Sequence, residues 1–274
     1  MTHDEHQYYV AGLYYLKFHD FRFNHASPPL VKYALALPIY TVFHPQIPKA
    51  PETIIVNKLD TIDYSKIFFE ANPQQFFTFL YTARRVNVTI FILGAFLLFW
   101  AGTIFYSRAI GFTAAMLYLF NIPLFAHATL ATLDIGLMAA TLLFMIFLYR
   151  AITQKNSQAT ILAGASFGIS LAAKFSILLF FPLALLTLIL NFKKTKPTVH
   201  HILLFSISAF IFLFAIYGFD TNMLAEQKTP TFCKNSTYTA ICTTMKSVPI
   251  PLSNFLRGAF YQLSISRKGW PSFI

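Results

Sequence analysis

The apolar run from Val86 to Tyr106 most constrains how this chain can fold, because an α-helix needs about 20 such residues to cross a bilayer. A second clean run extends from His201 to Phe219. The whole chain is 56% hydrophobic and 11% charged, whereas soluble domains carry roughly 25% charged residues. The sequence therefore predicts an integral membrane protein and excludes a soluble globular domain.

Two longer apolar stretches each contain an isolated charge. Phe112–Tyr149 contains Asp134, and residues 159–190 contain Lys174. A single helix over the first stretch would be roughly 57 Å long, which is too long for one span. Each stretch is therefore predicted to be a hairpin that turns at its charged residue. The predicted fold is all-α and polytopic, with about six transmembrane or half-spanning helices.

Basic residues in short loops predict the orientation, since such loops are usually cytoplasmic. Three loops contain basic residues and no acid; they carry Arg108, Arg150 with Lys155, and Lys193, Lys194 and Lys196. The predicted exoplasmic parts are then a long first loop (1–83), the turns within a transmembrane bundle (84–219), and a segment at 220–274. The net charge of +11 is scattered rather than gathered in one stripe, so no nucleic-acid partner is predicted.

The first loop contains two adjacent acids, Asp4 and Glu5. Neighbouring side chains point in different directions, so the two cannot act as a carboxylate pair on one atom. One could act as a base while the other orients a second group. The alternative is a solvated helix start, where acids are favourable.

A short helix is predicted after Pro28 and Pro29, because proline suits the first turn of a helix. It should end at Pro38 and lie along the membrane surface. His25 and Lys32 would then meet lipid headgroups, either as ligands or by ordinary interfacial solvation.

Arg84 and Arg85 directly precede the first clean span. They could anchor the helix at the interface or bind phosphate, whose oxygens match the planar guanidinium. Asp134 and Lys174 could cap short helices at the water boundary. Both are predicted on the same face as the first loop, which favours a shared functional site.

Four segments in order resemble the lipid-carrier-dependent glycosyltransferases, the group that contains protein O-mannosyltransferases and bacterial aminoarabinose transferases. They are DEHQYYVAGLYYLKFHDFRFNHASPPLVKYALALP (4–38), ARRVNVTIF, HATLATLD and GISLAAKFS. The resemblance implies a type C glycosyltransferase fold in a bacterial plasma membrane. It also implies inverting transfer of a sugar from a polyprenyl phosphate to an exoplasmic hydroxyl of a protein, lipid or glycan.

The resemblance also implies roles for individual residues. Asp4 matches the catalytic base, with Glu5 beside it, and Asp134 matches a second acidic position. Arg84 or Arg85, and also Lys174, match the residues that hold the carrier phosphate.

The chain departs from the family pattern in two ways. Ala26-Ser27 precedes the two prolines, where mannosyltransferases have His and aminoarabinose enzymes have Glu-Lys. No metal site is therefore predicted, and a divalent cation is left open. Family members begin with an earlier transmembrane helix and continue past Phe273-Ile274, which indicates a fragment.

Two other functions fit the same residues. A transporter or flippase could use Asp134 and Lys174 as a polar pathway through the membrane. A noncatalytic membrane subunit could use them to pair with partner helices. Cys233 and Cys242 could form a disulfide if their segment is exoplasmic.

Overall fold

A computed structural model describes residues 4–51, 60–192, 198–221 and 251–268, which are helical and contain no strand. The helices are α1 (Glu5–Phe18), α2 (Leu30–Phe43), α3 (Asp60–Ala71), α4 (Phe76–Phe105), α5 (Arg108–Leu119), α6 (Ile122–Ala128), α7 (Asp134–Gln154), α8 (Ser157–Ala173), α9 (Phe180–Phe192), α10 (Thr198–Ile216) and α11 (Ser253–Lys268). The predicted cytoplasmic lysines at 193, 194 and 196, and the cysteines at 233 and 242, lie outside the described residues. The prediction of an all-α polytopic membrane protein is confirmed.

Three helices in the described part of the chain are long and apolar enough to cross a membrane. They are α4, α7 and most of α10, and the bent pair α5–α6 makes a fourth span if it is counted as one. Helix α4 begins at Phe76, earlier than the predicted start at Val86. Arg84 and Arg85 therefore lie within this helix rather than before it.

The predicted hairpin around Asp134 is confirmed. Ser107 caps α5 by accepting a hydrogen bond from the backbone of Ile110, and Asn121 starts α6 in the same way. The chain bends by 65° between these two helices. Asp134 is then the first residue of α7, which returns across the bundle.

The second predicted hairpin is also present. Helix α8 ends at Ala173, and Lys174 has an extended backbone. A 3₁₀ turn (Phe175–Leu179) follows and leads into α9. The chain therefore reverses at Lys174, as its charge within an apolar stretch indicated.

Helix α8 lies at the centre of the bundle and packs against α7 and α10. A Cβ atom at Gly164 would collide with Ser208 and Phe205, and one at Gly168 would collide with the backbone of Ala209. These glycines are four residues apart and lie on one face of α8. Such small-residue spacing lets two membrane helices pack backbone to backbone.

The first region is docked onto this bundle. Helix α1 packs on α2 and α3, and α2 packs on α4 and α8. Helix α2 continues past Pro38 to Phe43, so the predicted end at Pro38 is wrong. A proline inside a helix removes one backbone donor and crowds the carbonyl four residues before it, but buried residues on both sides of Pro38, such as Leu35 and Ile39, hold the helix together.

Asp220 joins the end of the bundle to the start of α11. Its carboxylate accepts hydrogen bonds from the Ser253 hydroxyl at 3.1 Å and the Asn254 backbone at 3.0 Å. Its carbonyl accepts another from the backbone N–H of Leu252 at 2.9 Å. Residues on either side of 222–250 are therefore held together.

Candidate active site

The centre of the site is an ion pair between Glu5 and Arg84. Arg84 donates from Nε to Oε2 at 2.8 Å and from its terminal nitrogen NH2 to Oε1 at 2.9 Å. Glu5 is completely buried, and its Oε2 also accepts the backbone N–H of Ala131 at 3.0 Å. One carboxylate thus connects α1, α4 and the loop before α7. We call this end of the bundle the α1 end.

Burial of Glu5 is possible because its carboxylate is surrounded by these donors. A two-pronged guanidinium–carboxylate contact is among the strongest hydrogen-bonded pairs in proteins. Removing either partner of such a pair would leave a charge poorly solvated. The geometry gives Glu5 a positioning part, and it does not leave the carboxylate free to contact a substrate.

Asp4 precedes α1 and is exposed, and its side chain makes no capping hydrogen bond. Tyr8, one turn along α1, lies near both Asp4 and Asp134. Burial raises the pKa of Tyr8 to about 12, with smaller contributions from the carboxylates of Asp4 and then Asp134. Asp4 and Asp134, which are 130 residues apart in the chain, therefore both lie near one tyrosine.

Asp134 forms a second ion pair at the α1 end. Lys174 donates from Nζ to its Oδ1 at 2.5 Å, and both side chains are partly exposed, at 39% for Lys174 and 52% for Asp134. The two residues occur where helices begin or end, and the fold brings these ends together. A partly exposed pair of this kind contributes little to stability. Stabilisation of the fold therefore does not explain why both charges lie at helix ends.

The other predicted phosphate ligands differ in their surroundings. Arg85 is exposed, on a different side of α4 from Arg84. His25 is partly buried, with its Nδ1 3.3 Å from the carbonyl of Arg22 and its ring against Tyr261.

Lys32 is completely buried on α2. Its Nζ donates to the carbonyls of Asn24 and Ser27, each at 2.7 Å, and lies 3.2 Å from the Tyr15 hydroxyl and from Asn24 Oδ1. Burial holds the pKa of Lys32 well below its usual value. This lysine fixes the loop between α1 and α2 and does not reach a headgroup position in this arrangement.

Sequence reasoning missed several residues of the site. Neither Tyr8, which lies near both aspartates, nor the Ala131 backbone donor belongs to a recognisable motif. Asn87, buried one turn after Arg84, donates to the carbonyl of Leu130 at 2.6 Å. A buried asparagine in a spanning helix was the only available signal, since polar groups within membranes are rarely without a partner.

No group of three or more histidine, cysteine or acidic side chains suited to a metal ion occurs within residues 4–51, 60–192, 198–221 and 251–268. The acids of the site are instead distributed between Arg84 and Lys174. The arrangement of described residues is that of a polar cluster with one unpaired carboxylate, Asp4, at its edge.

A family model described as dolichyl-phosphate-mannose-protein mannosyltransferase matches residues 78–217, which are 140 of the 274 residues. The chain belongs to this family. It is therefore a membrane glycosyltransferase of the mannosyltransferase type, and the predicted superfamily is confirmed. No curated protein and no solved structure matches the chain.

The match to the mannosyltransferase family covers α4 through α10. It includes Arg84, Asp134 and Lys174, whereas α1 with Asp4 and Glu5 lies before it. The ion pair from Glu5 to Arg84 links the unmatched region to the matched one.

Proposed function

We propose that the protein transfers a sugar from a polyprenyl phosphate carrier to an acceptor hydroxyl, with Asp4 as the catalytic base. The observation that carries this proposal is the grouping of Asp4, Asp134 and Lys174 at the same end of the bundle as the Glu5–Arg84 pair. Membership of a mannosyltransferase family supports a lipid-linked donor and a protein acceptor. A glycan or lipid acceptor would use the same chemistry.

The reaction is a single displacement. The acceptor oxygen attacks the anomeric carbon while Asp4 takes its proton, and the bond from that carbon to the phosphate oxygen breaks. The phosphate leaves with the electron pair, so the anomeric configuration inverts and no covalent glycosyl-enzyme forms. An exposed carboxylate without a fixed partner suits the base, because its lone pairs are available to the incoming hydroxyl.

The remaining charges would orient the reactants. Asp134, held by Lys174, would bind sugar or acceptor hydroxyls, and the Glu5–Arg84 pair would keep α1 in place beneath Asp4. Arg84, Arg85 and Lys174 are also proposed to attract the carrier phosphate. Arg84 and Lys174 each already donate hydrogen bonds to a carboxylate. Each would therefore contact the phosphate through its remaining N–H groups.

We place this end of the bundle on the exoplasmic side. Arg150 and Lys155 lie at the other end of α7 from Asp134, and Arg108 begins α5 directly after α4 has crossed the bundle. Basic residues gathered at the opposite end support a cytoplasmic location there.

A transporter is less well supported by this geometry. Transport of a polar substrate requires charges near the bilayer centre that are reached from both faces. Asp134 begins α7 and Lys174 follows the last residue of α8. Both charges therefore lie at helix ends.

Replacing Asp4 with Asn in the full chain tests the proposal. Transfer of a labelled sugar from its polyprenyl phosphate carrier, measured in membranes, should fall by roughly 10²- to 10⁴-fold, the usual contribution of a general base. Asp63→Asn is the matched control, because Asp63 is an exposed acid on α3 that pairs with its neighbour Lys66. Wild-type transfer by Asp4→Asn, at equal protein levels, would remove Asp4 from the mechanism.

A further inference from the structure

The peptide group between Leu130 and Ala131 is bound at both of its polar ends. Its N–H donates to Oε2 of Glu5 at 3.0 Å, and its carbonyl oxygen accepts a hydrogen bond from Nδ2 of Asn87 at 2.6 Å. The N–H and the C=O of a trans peptide point in opposite directions. Helix α1 therefore holds this peptide group from one side, and α4 holds it from the other.

These contacts close a ring of hydrogen bonds. Arg84 and Asn87 are three residues apart on α4 and so lie on the same face of that helix. Arg84 donates to the carboxylate of Glu5, Glu5 accepts from the peptide N–H, and the peptide carbonyl accepts from Asn87. Linked hydrogen bonds polarise one another within a protein. The place of the peptide group therefore depends on Asn87 as well as on the ion pair.

Asn87 binds the peptide through its amide nitrogen. The residue is completely buried within α4, a helix long and apolar enough to cross a membrane, where a polar side chain is costly. Its Nδ2 also lies 3.5 Å from the carbonyl of His127, so the opposite amide orientation would place Oδ1 against two carbonyl oxygens. Oδ1 is buried and has no hydrogen-bond partner among the described residues. Donation from Nδ2 to the turn is therefore the contact that accounts for an asparagine here.

The bound peptide group leads directly into Asp134, the first residue of α7. The N–H of Thr132 donates back to the carbonyl of Leu130 at 2.9 Å, so the chain stays hydrogen-bonded between the peptide group and the helix. Asp134 itself is half exposed, and its pair with Lys174 is of a kind that contributes little to stability. The bound peptide group is therefore an anchor for Asp134 that its own ion pair does not supply.

We propose that Asn87 is a positioning residue, which holds the peptide group before α7 and thereby sets the place of Asp134 for sugar transfer. This inference rests on the proposed function, in which Asp134 binds sugar or acceptor hydroxyls. Asn87 contacts neither reactant, because its side chain is completely buried. It acts on the reaction only through the turn that precedes Asp134.

Carbodiimide cross-linking reports the place of Asp134 without an assay of activity. The reagent joins an amine and a carboxylate in direct contact into an amide, with loss of water, and mass spectrometry would measure the Lys174–Asp134 product in the full chain. Asn87→Leu keeps the size of the side chain but removes the donor. Its yield of this product should fall about twofold or more, because one net hydrogen bond shifts an equilibrium by at least that factor. The exposed Lys66–Asp63 pair is the internal standard and should react equally in both proteins.

The matched control is Asn72→Leu. Asn72 is a buried asparagine directly after α3 that donates from Nδ2 to the carbonyl of Gln46 at 2.7 Å. This variant loses the same kind of contact at another place, so the Lys174–Asp134 product should form at the wild-type yield. Equal losses in Asn72→Leu and Asn87→Leu, or no loss in either, would overturn the inference.

Hydrogen exchange in the wild-type protein does not depend on how a variant folds. The N–H of Ala131 lies in a connecting turn, yet it is bound by the buried Glu5. It should exchange at least about tenfold more slowly than the N–H of Asn156, which is exposed between α7 and α8. Equal exchange at the two positions would show that the peptide group is not held, and would overturn the inference.

A double-mutant cycle tests whether Asn87 acts through Asp134. Asn87→Leu should lower sugar transfer about fivefold, the equilibrium factor of one hydrogen bond, and should have no further effect in an Asp134→Asn chain. Asn72→Leu should have the same effect in both backgrounds. Effects of Asn87→Leu and Asp134→Asn that multiply would contradict the inference.

The two readouts separate this inference from the proposed function. If the wild-type protein transfers no sugar but the Lys174–Asp134 product is lost only in Asn87→Leu, the proposed function fails and the positioning of Asp134 stands. If sugar is transferred and Asn87→Leu changes neither the cross-link nor the transfer, the inference fails and the function stands.

Discussion

Asp4 and Glu5 are neighbours in sequence with opposite environments. Glu5 is buried and bound by Arg84 and Ala131, whereas Asp4 is exposed beside Tyr8. The different directions of adjacent side chains explain this division, as the sequence suggested. The positioning of one acid therefore depends on burial of the other.

Replacing Glu5 with Gln should destabilise the protein strongly. The amide keeps the shape of the side chain but cannot balance the charge of Arg84, which is partly exposed, and losing hydrogen bonds to a charged group costs about 1.5 to 3 kcal/mol. Thermal unfolding of the purified protein in detergent would measure the loss. Sugar transfer should fall with it, because α1 would lose its anchor on α4.

The control for Glu5→Gln is Lys66→Gln, which breaks the exposed Lys66–Asp63 pair. Exposed pairs contribute about 0 to 1 kcal/mol, so the unfolding temperature should change little. Equal unfolding temperatures for the wild-type protein and Glu5→Gln would show that the pair does not hold α1 to the bundle.

At the level of elements, α8 determines how the bundle packs. Its glycines at 164 and 168 face α10 without space for a side chain. The contact therefore depends on the absence of Cβ atoms on one face of α8, since a larger residue would separate the two backbones.

Gly168→Leu should push α10 away from α8 and lower stability by about 1 to 3 kcal/mol or more, the usual cost of overpacking. Gly168→Ala should have a smaller effect in the same direction. Thermal unfolding and yield in membranes would measure both. Ala109→Leu, on an exposed position of α5, is the control and should behave as the wild type. A Gly168→Leu variant as stable as the control would contradict the close packing of these helices.

For the whole molecule, we predict that the α1 end faces the exoplasm. In a chain whose Cys233 and Cys242 are replaced by Ser, Gln75→Cys at the start of α4 should react with a membrane-impermeant maleimide on intact cells. Ser157→Cys, at the start of α8 and the opposite end, should react only after the membrane is permeabilised. Both positions are exposed, so the two variants control for each other. The reverse labelling pattern would place the proposed active site in the cytoplasm.

Much of this architecture was predictable from the sequence. Lone charges within apolar stretches identified the turns at Asp134 and Lys174, because a charge within the hydrocarbon layer is costly. Ordered similarity to known glycosyltransferases identified the family, which the match to residues 78–217 confirms. The lone charges can be recognised from their immediate neighbours in sequence, and the family from several similar segments in order. Neither requires knowledge of contacts between distant residues.

The pairings within the site could not be predicted. Glu5 and Arg84 are 79 residues apart, and either could have met another charge. In the sequence, Lys32 cannot be distinguished from a lysine that lies at the membrane interface. In the structure, its ammonium group is bound by backbone carbonyls of the preceding loop. Periodicity and composition describe which faces are buried, whereas the partner of a buried charge depends on the complete packing.

The hydrogen bonds that Asp220 accepts from Ser253 and Asn254 have an evolutionary consequence. Because these bonds join the residues on either side of 222–250 directly, the place of α11 against the bundle does not depend on how many residues lie between them. Related enzymes could therefore diverge widely in this stretch while α11 keeps its place.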